Sequence, residues 1–81
     1  MHLEILTPEK KYFEGEVSVV TFPGADGSFQ VLDGHAPLIS LLKEGTLEYK
    51  GREGSQNLAI SGGVVEVLKN NVIVLATGVT V

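Results

Sequence analysis

Apolar residues in this chain fall into short blocks separated by Gly, Pro, Asn and Asp. Blocks of that length, alternating or uniformly apolar, predict strands rather than helices. The first occupies residues 3–6 and is closed by Thr7-Pro8. The second runs over residues 12–22. Alternation there puts Val17, Val19 and Thr21 on one face and Ser18, Val20 and Phe22 on the other. Pro23-Gly24 is a turn signal and Asp26-Gly27 a hairpin signal, so a short strand follows over residues 28–32. Asp33-Gly34 interrupts the chain again. Residues 38–42 form a fourth apolar block. Residues 46–50 alternate, with Leu47 and Tyr49 inward and Thr46, Glu48 and Lys50 outward. After a polar loop at residues 51–54, blocks at 58–60 and 64–68 flank Ser61-Gly62-Gly63. Asn70-Asn71 predicts a tight turn, since Asn tolerates positive φ. Residues 72–76 are wholly apolar.

No segment has a convincing helical pattern. About eight short strands, with turns every 8–12 residues or so, predict an all-β fold. The expected architecture is a flattened β-sandwich or barrel of about eight to ten short, mainly antiparallel strands, in one domain over residues 1–81. The second and last strands are apolar on both faces: Ile73 and Leu75 back onto Val72 and Val74. An antiparallel sheet usually keeps one face polar. Two readings stay open: an outer face that docks onto a partner, or a closed barrel that covers both faces.

Composition narrows the function classes. With 81 residues and no cysteine, the fold has no disulfide staple and no thiolate for zinc. The two histidines are far apart in sequence, which argues against a structural metal site. A chain this small buries only about 60% of its unfolded surface, so apolar packing or a partner must stabilise it. The net charge is −4, and the six Lys and Arg are scattered apart from Lys10-Lys11. Nucleic acid and anionic membranes both require a basic stripe, so neither is an expected partner. No apolar run approaches the ~20 residues of a membrane span, and bilayer insertion is not expected. The start lacks a signal-peptide pattern, and the chain is read as cytoplasmic and soluble.

Candidate chemistry is sparse. A nucleophilic triad would draw on Ser40 or Ser61 with His35 and Asp33, but no nucleophile elbow accompanies them. Ser61-Gly62-Gly63 lacks the Lys and the helix of a phosphate loop and is read as a bulge or bend. Glu14 and Glu16 share a strand face and are read as solvated. Carrier domains of similar length present a modified lysine at a hairpin tip. Lys50 and Lys69 sit near tips here without the usual neighbouring residues. No catalytic, cofactor-binding or metal-binding residue is assigned.

Two long stretches carry a resemblance. GSFQVLDGHAPLISLLKEGTLEY, residues 27–49, and AISGGVVEVLKNNVIVLA, residues 59–76, resemble the epsilon subunit of bacterial F-type ATP synthases. The Gly34-His35-Ala36-Pro37-Leu38 core is the most specific part, and Phe13-Glu14-Gly15 before the long strand also fits. The resemblance implies a ten-stranded β-sandwich and a non-catalytic place in the rotor's central stalk. Thr7, His35, Ala36, Pro37, Leu38 and Ser40 would meet the gamma subunit. Asp26, Gly27 and Ser28 would lie near the c-subunit ring. The implied location is peripheral, at the cytoplasmic face of the inner membrane. An uncovered docking face is expected to make the isolated domain self-associate.

Two positions depart from the family pattern. Asp33 stands where the family often has Pro, which predicts a more mobile turn. Ser28 stands where a second acidic residue is frequent, which leaves Asp26 as the acidic group there. Family members usually continue into a C-terminal helical hairpin. The resemblance puts Val81 at the end of the sandwich, so inhibition of ATP hydrolysis and nucleotide binding by that hairpin are not expected of these residues.

Overall fold

A long strand organises the molecule. In the computed structural model, which describes residues 1–79, β2 (Lys11–Gly24) is 14 residues long, and each half of it pairs differently. Its first half lies antiparallel to β1 (His2–Leu6). Its second half is flanked by β3 (Gly27–Leu32) and β5 (Gly45–Gly51), also antiparallel. β5 then pairs with β6 (Gly54–Ile60). On the other side, β1 continues through β8 (Asn71–Ala76) and β7 (Gly63–Leu68) to β4 (Leu38–Leu42). β4 returns to β2 through one bridge, Gly24–Leu42. The hydrogen-bonded path β2–β1–β8–β7–β4–β2 therefore closes on itself. Among the described residues only the β1–β8 pair is parallel.

The molecule measures 28 × 28 × 19 Å. Two sheets stack about 10 Å apart, so the short dimension accommodates two layers and their outer side chains. This is the expected flattened sandwich, with eight strands among the described residues.

The core is built from inward positions of both layers. Leu3, Ile5, Val20, Phe22, Val31, Leu47, Ile60, Val65 and Val74 are fully buried. Burying one such side chain contributes about 1.5–3 kcal/mol relative to leaving it exposed. No polar or charged side chain is buried among the described residues. Leu47 and Tyr49 point inward, as alternation predicts.

The structure departs from the simple pattern at three places. Val17 is buried together with Val20 and Phe22, not opposed to them. The register against β5 slips between Val17 and Val19, which pair with Gly51 and Lys50. The extra residue of a β-bulge reverses the alternation there, and Ser18 Oγ donates to the Lys50 carbonyl at 3.2 Å. Pro23-Gly24 is not a turn but the paired end of β2; the two-residue connection is Ala25-Asp26. The β7–β8 turn falls one residue earlier than predicted. Lys69 and Asn70 hold φ of 51° and 62°, the conformation of a type I′ hairpin turn, and Asn71 opens β8.

Candidate functional site

The outer face of β4, β7, β8 and β1 is the distinctive surface of this molecule. Residues paired across neighbouring strands share a face. Leu41 pairs with Val64, Val64 with Leu75, and Leu75 with Leu6. The result is an apolar row across four strands. The adjacent row is Ile39, Glu66, Ile73 and Glu4. Ile39 is 71% exposed, Leu41 67% and Leu75 50%. The closed hydrogen-bonding circuit thus leaves Ile39, Leu41 and Leu75 of this apolar face uncovered by the described residues.

The residues proposed from the sequence for the gamma contact surround this face unevenly. Leu38 packs against the core, and Ser40 is half-buried on the same side of β4. Ile39 and Leu41 are the outward residues of that strand. Alternation from the buried Leu42 carries this signal in the sequence. Thr7 follows Leu6 at one end of the face. Its hydroxyl donates to the Lys10 carbonyl and accepts from the Glu9 and Lys10 amides at 3.3 and 3.2 Å, closing a turn.

His35, Ala36 and Pro37 precede β4 at the other end of the face. A strand rises about 3.3 Å per residue, so the two ends are roughly 20 Å apart. His35 Nδ1 lies 2.8 Å from the Ala36 carbonyl. A carbonyl only accepts, so Nδ1–H is the donor in this contact. The preceding turn is well fastened. The Met1 ammonium donates to Asp33 Oδ1 at 2.7 Å, the Gly34 amide donates to Asn70 Oδ1 at 2.9 Å, and the His35 amide donates to the Leu32 carbonyl at 3.1 Å. Asp33 and the neighbouring Glu16 raise the Met1 amine above its ordinary range. Asp33 thus supplies a tether where proline would supply rigidity.

Asp26, Gly27 and Ser28 form the exposed tip of the β2–β3 hairpin. Gly27 takes a φ of 128°, which side chains rarely adopt. The adjoining Ala25 amide donates to the Leu41 carbonyl at 3.0 Å, which sets this tip beside the C-terminal end of β4.

The alternative chemistries find no assembled site. Asp33 is engaged by Met1, Ser40 Oγ donates to the Leu41 carbonyl, and Ser61 Oγ pairs with Thr77 Oγ1. Among the described residues, these groups and His35 form no hydrogen bonds with one another. Lys50 lies within β5, paired with Val19 and Ser55, and the β5–β6 tip is Arg52-Glu53. Lys50 is therefore not a hairpin-tip lysine.

The outer face of β1 and β2 carries a charge cluster around Glu14, which, like Glu16, is exposed as expected. Glu14 bonds Lys11 Nζ and lies 3.0 Å from His2 Nε2. The Lys11 ammonium, and then His2, hold the Glu14 carboxyl below its usual range. A depressed carboxyl stabilises the fold above its unfolded pKa of about 4.3, and that contribution disappears as pH falls through the folded value. Glu14→Gln is accordingly expected to flatten the decline of the unfolding midpoint below about pH 4.3, measured by circular dichroism across an acid series. An unchanged acid limb would show that the pair contributes nothing.

Comparison with known proteins places these features. Residues 1–80 match the family described as ATP synthase, Delta/Epsilon chain, beta-sandwich domain. The chain is 44% identical over 79 residues to the ATP synthase epsilon chain of Campylobacter fetus, covering 96% of this chain and 61% of that relative. It is 43% identical to the epsilon chain of Chlorobium limicola, covering 90% of that protein. The chain thus spans about three fifths of the Campylobacter relative and most of the Chlorobium one. A chain of the Euglena gracilis mitochondrial ATP synthase, solved as OSCP/F1/c-ring, superposes with a TM-score of 0.87 at 25% identity, covering 96% of this chain and 51% of that one. A chain from the Tetrahymena thermophila mitochondrial ATP synthase central stalk/c-ring shares the fold, with a TM-score of 0.81 at 21% identity over 98% of this chain and 64% of that one. Among the described residues no helix is long and apolar enough to cross a membrane. An all-strand sandwich, a whole-length family match and close relatives all named as epsilon chains lead to one assignment: this chain belongs to the ATP synthase delta/epsilon chain β-sandwich family.

Proposed function

We propose that the chain is a non-catalytic central-stalk component of a proton-translocating F-type ATP synthase. It docks onto the gamma subunit and contacts the c ring, and so helps couple ion-driven rotation to ATP synthesis at the cytoplasmic face of the membrane. The uncovered apolar row of Leu41, Val64, Leu75 and Leu6 carries this reading. Exposed apolar patches of this kind mark interaction sites, and durable interfaces bury an apolar centre within a polar rim.

The geometry favours an elongated partner laid across the face. Thr7 and the stretch His35, Ala36, Pro37 lie at opposite ends of the strands, and one partner would need to span roughly 20 Å to touch both. Ile39 and Leu41 would supply apolar contacts, with His35 at the margin and Ser40 on the inner side of β4. Pro37 restricts φ just before β4 and so helps aim it. Leu38 would act from below, by supporting Ile39 from the core. The tip at Asp26, Gly27 and Ser28 would face polar loops of the c ring, with Asp26 as its one acidic group.

A pull-down with the cognate gamma subunit tests this. Wild type is expected to bind stoichiometrically. Ile39→Glu and Leu41→Glu are expected to weaken binding at least tenfold, because each puts a charge into a desolvated centre. Both positions are exposed, so the variants keep their folded circular dichroism. Undiminished binding by both would remove this face from the interface. No binding by wild type to folded gamma would leave the fold without the partner proposed for it.

A further inference from the structure

We propose that His2, Glu4 and Glu14 form a binding site for a divalent transition-metal ion of the zinc class, on the outer face of the β1–β2 pair. The register builds it. His2 pairs with Glu16 and Glu4 with Glu14, so four polar side chains stand on one face of two adjacent strands. Leu3 and Ile5 between them point into the core and hold β1 in place. Ligand atoms of His2, Glu4 and Glu14 all lie within 4.8 Å of one another. Zinc binds nitrogen and oxygen at about 2.0–2.2 Å, so neighbouring ligands of a tetrahedral ion sit about 3.3–3.6 Å apart. The half-exposed and exposed carboxylates reach that spacing by rotating.

The histidine distinguishes this group from a plain acidic cluster. His2 Nε2 is 3.0 Å from Glu14 Oε2, and Nδ1 is 3.4 Å from Glu16 Oε2. Both ring nitrogens therefore face carboxylates. A neutral imidazole has one donor and one acceptor, so one of its lone pairs is set against an oxygen lone pair. A metal ion on one ring nitrogen would remove that opposition. With the ion on Nε2, the proton stays on Nδ1 and is donated to Glu16. That is the carboxylate–histidine–metal arrangement that orients a ligating imidazole. Imidazole with carboxylates suits zinc and its neighbours better than calcium or magnesium, which prefer all-oxygen sites.

A cation already occupies the centre. Lys11 Nζ hydrogen-bonds Glu14 and lies 3.5 Å from Glu4 Oε2. Metal entry would displace this ammonium, so Lys11 competes with the ion. No spacing rule in the sequence shows this group, because the ligands come from two strands and only one is histidine.

Zinc titration of the full chain by calorimetry, at about pH 8 where an ordinary imidazole is neutral, tests the proposal. One saturable equivalent is expected, together with a zinc-dependent rise in the thermal midpoint. His2→Ala and Glu14→Gln should each weaken binding at least about tenfold, whereas Lys11→Ala should tighten it and His35→Ala leave it unchanged. Circular dichroism would verify that each variant is folded. Absence of saturable binding, or binding that survives His2→Ala and Glu14→Gln, would overturn the site. Loss with His35→Ala instead would place the ion elsewhere and overturn it equally.

Discussion

Phe22→Ala is expected to cost about 3–5 kcal/mol of folding stability, enough to leave a domain of this size largely unfolded near physiological temperature. Native domains hold only about 5–15 kcal/mol in reserve, and small ones bury the least surface to provide it. Phe22 is fully buried in the second half of β2, where that strand is flanked on both sides. Its ring centroid is 5.3 Å from that of Phe29, its partner on β3. Truncation would leave a cavity and also remove an aromatic contact of about 0.5–1.5 kcal/mol. Urea unfolding should show the midpoint falling sharply with little change of slope. Leu32→Ala, at the far end of β3 and 52% exposed, is the control and should cost little. If the two substitutions cost the same, Phe22 is not the centre of the core.

Gly63→Ala is expected to be comparably damaging, for a reason unrelated to cavities. Gly63 opens β7 at a φ of 152° and pairs with Leu42 on one side and Ala76 on the other. Such a conformation alone costs a side chain about 1–3 kcal/mol. A Cβ there would also meet the Leu75 carbonyl oxygen at 2.3 Å and Ala76 Cα at 2.9 Å. Both obstacles are backbone, so relief requires β8 to move away from β7. That movement would break up the apolar row at Val64 and Leu75. Gly27→Ala isolates the first effect, because its φ is 128° but a Cβ there would meet nothing within 4 Å. Thermal unfolding should therefore rank Gly63→Ala well below Gly27→Ala in stability. Equal losses would mean that the close approach of β8 yields without cost.

These two positions also show what could be read along the chain. Strand locations were legible because period-two alternation and turn residues are local properties. β4 begins and ends where its apolar block does, and Leu47 and Tyr49 face inward as patterned. Ser61-Gly62-Gly63 was legible as a bend, though not the backbone that forbids a side chain there.

Register and sheet order were not legible, because they depend on partners distant in sequence. The bulge that turns Val17 inward exists only against Gly51 and Lys50 of β5. The apolar outer face brings together Leu6, Leu41, Val64 and Leu75, which no spacing rule connects. The motif around Leu38 marks this stretch in the sequence, and within β4 the exposed side chains are Ile39 and Leu41. His2 and Glu14 meet for the same reason, across the β1–β2 pair. Alternation, turns and family were thus local information in the chain. Which alternating face remained uncovered was decided by how β4, β7, β8 and β1 line up, since only long-range hydrogen-bond register sets side chains from four strands in one row.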